Sequence, residues 1–158
     1  ATFFSAITYY DQPFEDAIFE SDIRSVGTNA NDGFSLLLRS TFSENQEFQN
    51  GYTIDIVGTD NGIEISGWRI STSTSDDPGF TSSIPDDADL TEIDITKFHT
   101  YRLEVIGTTA YLSIDGQLVY ILGIDPTYTA GSFGYDVISN NQSGHSVDVN
   151  WSRITPIE

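Results

Sequence analysis

The chain has no cysteine in 158 residues, so no disulfide framework and no thiol chemistry is open to it. Basic residues are scarce: six, of which Lys97 is the only lysine, against 24 acids. The formal charge is −18 and the isoelectric point is near 4.1. That sign excludes a nucleic-acid-binding surface, because a phosphate backbone demands positive partners, and it argues against docking on anionic lipid. No apolar run is long enough to span a bilayer, so no membrane insertion is expected. Histidines number two, His99 and His145, and no paired-histidine motif exists, so neither a catalytic zinc nor an imidazole-based nucleophile is expected. These 158 residues begin at Ala1 and contain no methionine and no signal-peptide pattern. These features lead us to expect an excised or processed module of a longer extracellular protein. An Asp-rich, Lys-poor surface suits a secreted or cell-surface protein in a salty or calcium-containing medium, and it equally serves plain solubility.

What the chain does contain is enough apolar side chain for one packed domain. Hydrophobic residues make up 38% and charged residues only 19%, which separates an acidic skin on a globular core from an acidic disordered tail. No helical period is evident. Short alternating runs recur instead, in Ile18–Val26, Gly33–Phe42, the run holding Tyr52, Ile54 and Ile56, and the run holding Ile63 and Ile65. Others follow with Tyr101, Leu103 and Val105, then Tyr111–Ile114, Gln117–Leu122, Phe133–Ile138 and Ser146–Ile154. Asp115-Gly116 between two such runs is a hairpin signal, since both turn residues must take positive φ. About nine strands with frequent Gly, Asn and Asp turns predict an all-β antiparallel sandwich over residues 1–158. Ser71–Glu92 breaks the rhythm with Ser-Thr-Ser-Thr-Ser, Asp76-Asp77-Pro78-Gly79 and Pro85-Asp86-Asp87, and is expected to be a long polar loop.

Five segments in order resemble one superfamily. Asp32-Gly33-Phe34-Ser35-Leu36-Leu37-Leu38-Arg39 resembles the "n-s-G-i-x-x-R" strand of laminin-G-like, or concanavalin A-like, jelly rolls. Gly51-Tyr52-Thr53-Ile54-Asp55-Ile56 resembles their "G-Y-x-v-x-i", and Phe98-His99-Thr100-Tyr101-Arg102-Leu103-Glu104-Val105 their "W-H-x-y-r-i-x-v". Tyr111-Leu112-Ser113-Ile114-Asp115-Gly116 is similar to "v-x-v-y-v-D-G", and Trp151-Ser152-Arg153-Ile154 to the closing "f-D-n-v-x-v". The resemblance implies a two-sheet jelly roll. Its members include lectins, polysaccharide-binding modules, adhesin domains and glycan hydrolases and lyases, so fold alone does not choose among them. In several jelly-roll families an acid before the first strand and an Asx on the last share a structural calcium; Glu15 or Asp16 and Asp148 or Asn150 match by position. Calcium is also the metal that Asp and carbonyl oxygens suit best. His99 takes the pre-strand position where the family often has His or Asn, which implies a structural role.

For chemistry, the jelly-roll glucanases carry Glu-x-Asp-x-x-Glu on one strand. The nearest run here, Glu92-Ile93-Asp94-Ile95-Thr96-Lys97, ends in lysine and is broken. A hairpin turn at Gly58–Asn61 would set Ile54 against Ile65 and Asp55 against Glu64. Two opposed carboxylates need relief from Arg39, Arg69, a bound cation or a shared proton. The same pair could also accept sugar hydroxyls beside an arginine donor, or do acid–base work. Trp68, next to Arg69 at the lip of the polar loop, is a candidate platform for the apolar face of a sugar, with Tyr128 and Tyr135 as further candidates; ordinary packing would also explain each. The expectation is a non-catalytic carbohydrate-binding or lectin-like module. The alternatives are a glycan hydrolase or lyase using Asp55 and Glu64, and a protein-binding adhesin or spacer.

Overall fold

Alternation of apolar and polar side chains produces strands whose two faces differ, and the chain buries the apolar faces against one another. The computed structural model describes residues 8–27, 32–45, 48–71, 74–76, 81–138 and 146–158. They form twelve strands and no helix: β1 (Thr8–Phe14), β2 (Ala17–Val26), β3 (Gly33–Phe42), β4 (Phe48–Thr59), β5 (Gly62–Ser71), β6 (Thr74–Asp76), β7 (Ser82–Ser83), β8 (His99–Ile106), β9 (Thr109–Ile114), β10 (Gln117–Gly123), β11 (Gly131–Ile138) and β12 (Ser146–Pro156). Two six-stranded antiparallel sheets result, sheet A in the order β1-β11-β3-β4-β5-β6 and sheet B in the order β12-β2-β8-β9-β10-β7. First and last strands pair with partners distant in sequence, as a jelly roll requires.

The core lies between the sheets. Phe34, Leu36 and Leu38 of β3 and Tyr52, Ile54 and Ile56 of β4 point inward from sheet A, and meet Phe19, Ile23, Tyr101, Leu103 and Val105 from sheet B. Phe34 and Tyr101 stack edge to face across the gap, their ring centroids 4.9 Å apart. The Asp115-Gly116 turn forms as its sequence predicts, with φ of 50° and 84° and Gln117 paired to Ile114.

Two expectations change. The Ser71–Glu92 segment is not a bare loop: β6 pairs with the end of β5, and β7 pairs with β10. Its residues 72–73 and 77–80 lie outside the described residues, as does His145. The β4–β5 turn is also tighter than expected. Thr59 pairs with Gly62, so Asp60 and Asn61 alone make the turn, Ile56 faces Ile65, and the register moves by two residues. A shift of two preserves which face each residue occupies but changes its cross-strand partner.

Candidate functional site

That two-residue shift reorganises the acids. Asp55 faces Ser66, and Glu64 faces Val57 in the exposed part of the hairpin, so the expected Asp55–Glu64 opposition does not form. On its other side Asp55 pairs with Ser35 of β3, and Ser35 pairs in turn with Asp136 of β11. A single row thus crosses the outer face of sheet A: Asp136, Ser35, Asp55, Ser66. The next row is Gly134, Leu37, Thr53, Trp68. Gly134 puts no side chain there, and Trp68 stands at the far end.

These rows enclose a groove of about 310 Å³, lined by Ser35, Leu37, Thr53, Asp55, Trp68, Ile70, Asp136 and Ile138. Its floor is well covered: Leu37 is 2%, Thr53 4% and Ser35 7% exposed, although all three face away from the core. The Trp68 indole donates Nε1–H to Ser66 Oγ at 3.1 Å, which fixes the ring against the sheet. Ser35 Oγ donates to Asp55 Oδ1 at 2.6 Å. Asp136 Oδ1 accepts the N–H of Val137 at 2.8 Å. Thr53 stands near enough to Asp55 to temper its charge, yet its buried Oγ1 makes no hydrogen bond at proper geometry. A buried hydroxyl without a partner costs free energy unless something outside the chain fills its need.

Both carboxylates are held toward their neutral forms. Burial pushes the Asp55 carboxyl up from its ordinary value, and Ser35, Thr53 and Trp68 only partly oppose this. Burial also pushes Asp136 up to about 6; the Val137 N–H works against it and the charge of Asp55 adds to it. Among the described residues, no lysine, arginine or histidine lines the groove to neutralise either acid.

The other expected ligand residues are elsewhere. Arg69 follows Trp68 on the same strand and therefore points to the opposite face, where it bonds Asp125 and, at 3.4 Å, Thr127. Tyr52 Oη donates to Asp125 at 2.7–2.8 Å and accepts from the Tyr128 N–H at 3.1 Å. Burial raises the pKa of Asp125, but Thr127, Tyr52 and Arg69 outweigh it and bring the carboxyl below its usual range. Tyr128 packs edge-on against Tyr52 and reaches Asn50 at 3.3 Å, so it serves this inner network. Arg39 is buried at φ 47° and donates to the Glu15 carbonyl and to Asp16 Oδ1, each at 3.0 Å. Tyr135 packs against the core, one residue out of phase with Asp136. Of the seven expected ligand residues, Trp68 and Asp55 reach the groove, and Arg39, Arg69, Glu64, Tyr128 and Tyr135 do not. Ser35, Thr53 and Asp136 were missed. A carboxylate in the middle of a strand, between Tyr135 and Val137, is the signal that could have drawn attention to Asp136.

The four expected calcium ligands do not converge. Asp16 accepts from Arg39 and from the Gly107 N–H, beside the end of β2 where Ala17 pairs with Pro156. Asp148 pairs with Arg24 at 2.6 Å, and Asn150 donates to Asp22 at 2.7 Å. At about 3.3 Å per residue, the eight positions from Pro156 to Asp148 separate the two groups by roughly 25 Å. Glu15 and Asp16 therefore cannot share an ion with Asp148 and Asn150. Among the described residues, no three acidic or imidazole side chains are grouped as metal ligands.

A second, larger cleft of about 570 Å³ lies between the β4–β5 turn and residues 91–96. It contains the broken glucanase-like run, which forms turns rather than a strand. Asp94 is engaged there by the N–H and hydroxyl of Thr96, at 3.0 and 2.6 Å. His99 bridges Asp115 at 2.6 Å and the Asp94 carbonyl at 2.9 Å, a structural role.

No family model and no curated protein sequence matches this chain. Solved structures are similar to it in fold. The carbohydrate-binding module CBM66 from Bacillus subtilis superposes with a TM-score of 0.63 at 17% identity, over 95% of this chain and 94% of that one. The fold is a concanavalin A-like jelly roll. A tetrameric galectin from the ball sponge Cinachyrella sp. is similar at TM-score 0.61 and 10% identity, over 94% and 98% of the two chains. So is a Bacillus licheniformis beta-glucanase, at 0.59 and 14%, over 97% of this chain and 70% of that one. At such identities the likeness concerns fold.

Proposed function

We propose that this domain is a non-catalytic carbohydrate-binding or lectin-like module of an extracellular protein, with its ligand seated in the groove on the outer face of sheet A. One observation carries the reading: an anchored indole, two unneutralised carboxylates and an unpartnered buried hydroxyl line the same groove. A pyranose or furanose ring has an apolar face that suits Trp68, Leu37 and Ile70, and equatorial hydroxyls that suit carboxylate acceptors. The similar folds of CBM66 and the galectin support this class of ligand.

The enzymatic alternative draws on the beta-glucanase of similar fold. Its expected acid pair, Asp55 and Glu64, is separated here, and the glucanase-like run is broken and lies in turns. The test is retention on polysaccharide affinity gels together with a glycan array, with Trp68→Ala beside the unchanged chain. Retention that Trp68→Ala abolishes supports the proposal. Retention that Trp68→Ala leaves intact refutes the placement of the site. Absence of retention on every saccharide refutes the carbohydrate reading and favours a protein-binding spacer. Release of reducing sugar would establish the enzyme instead.

A further inference from the structure

The groove is rich in acceptors and poor in donors. Asp55 accepts from Ser35 on Oδ1 and has Thr53 and Trp68 close by, but its two oxygens offer more acceptor sites than these donors use, and Asp136 faces the same space from two strands away. An ionised carboxylate accepts and never donates. The arginines that a carboxylate- or sulfate-bearing ligand would need, Arg39 and Arg69, are committed to Asp16 and Asp125. Thr53 Oγ1 is the remaining polar atom, buried and unpartnered, and a hydroxyl can turn to donate or accept. A ligand that fits must therefore bring its own donors and no further negative charge.

We infer that this groove selects uncharged, hydroxyl-rich saccharides and rejects those carrying carboxylate or sulfate groups. The inference rests on the carbohydrate reading of the same face and names its substrate class. Each sugar hydroxyl placed on Asp55 or Asp136 makes a charge-assisted hydrogen bond. An anionic substituent at that place offers no donor and meets the like charges of Asp55 and Asp136. One such repulsion at about 6 Å, in a partly screened surface groove, is worth about a tenfold loss of affinity or more.

The whole molecule is strongly acidic, so the test must separate local from global repulsion. Neutral polysaccharides from the retained panel and carboxymethyl derivatives of the same backbones are titrated at pH 7.5 and 0.15 M salt. Three chains are compared: the unchanged one, Asp136→Asn, and Asp60→Asn, which removes the same charge from the exposed β4–β5 turn. We expect each derivative to bind about tenfold more weakly than its parent. Asp136→Asn should narrow that gap severalfold, and Asp60→Asn should leave it unchanged. Asp55→Asn provides a second local variant should Asp136→Asn perturb folding. Equal or tighter binding of the derivatives overturns the inference while leaving the carbohydrate reading intact. An equal narrowing by Asp60→Asn overturns it too, since the discrimination would then belong to net charge. If neither parent nor derivative binds, the carbohydrate reading itself falls and takes this inference with it.

Discussion

On the outer face of sheet B, Glu20 lies 2.6 Å from Arg153 and 3.8 Å from Arg102, Glu104 lies 2.6 Å from Arg102, and Asp148 lies 2.6 Å from Arg24. On the outer face of sheet A, Asp55 and Asp136 meet a serine hydroxyl and a backbone N–H. Each face also carries one of the molecule's two tryptophans. Trp151 on sheet B is 42% exposed, with Arg153 5.6 Å from its ring centroid, whereas Trp68 is hydrogen-bonded into a groove. With six basic residues for 24 acids, cations are a limiting resource. Three of the arginines, Arg24, Arg102 and Arg153, stand on the flat face of sheet B and none lines the groove. Half-buried acids without counter-charge cost stability, and that cost falls beside an unpartnered hydroxyl and an indole, which is why we propose the sheet A face as the binding face.

The sharpest way to break this comparison is through pH. The folded-state carboxyl of Asp136 is raised above its unfolded value, so the native state holds the proton more tightly between about pH 4 and 6. Its destabilising contribution is absent in acid, grows as pH rises through that window, and is complete above about 6. After allowance for solvent access, Asp136→Asn should stabilise the fold by about 2 kcal/mol at pH 7.5, by nothing near pH 4, and flatten the stability profile between. Chemical denaturation at several pH values measures this. Asp125 and Asp115 are shifted the other way, so their stabilisation is present at neutral pH and is lost only in acid, as pH falls through their lowered values.

Next in size is ligand affinity. Trp68→Ala should weaken saccharide binding at least about tenfold, while Trp151→Ala should change it less than about twofold. Isothermal titration with a retained saccharide measures both. Smaller still is the ion-pair lattice of sheet B. Glu20→Gln removes the partner of Arg153 and Arg102, yet these pairs are largely solvated, so the melting temperature should fall by no more than about 2 °C, and by less in high salt. The smallest effect concerns calcium. If calcium raises the melting temperature beyond magnesium at equal ionic strength, Asp148→Ala should leave that increment unchanged, because Asp148 is paired with Arg24 far from Asp16.

The sandwich was legible because it is written in local signals. Alternation places Phe34, Leu36, Leu38, Tyr52, Ile54 and Ile56 on the core face, and Asp115-Gly116 dictates its own turn. The same alternation already sends Trp68 and Arg69, and Asp136 and Tyr135, to opposite faces, so an aromatic and its chain neighbour on one strand do not share a site. The Asp136–Ser35–Asp55 row was not legible. It depends on β11 lying beside β3, a non-local pairing with no local signature. Its continuation to Ser66 depends on a turn two residues shorter, at the β4 end, than the Gly58–Asn61 signal suggests. The charge ledger was likewise hidden. Composition counts six cations but says nothing of which face receives them.

The two tryptophans supply the most direct test of the central claim, that the working face is the groove on sheet A. Two single-tryptophan chains, Trp151→Phe and Trp68→Phe, are titrated with a saccharide retained by the unchanged protein, and indole emission is followed. In the Trp151→Phe chain the emission of Trp68 should shift and saturate with the ligand, at the affinity of the unchanged protein. In the Trp68→Phe chain the emission of Trp151 should stay constant at every concentration. A saturable shift of Trp151 with Trp68 silent would contradict the account and move the site to the outer face of sheet B.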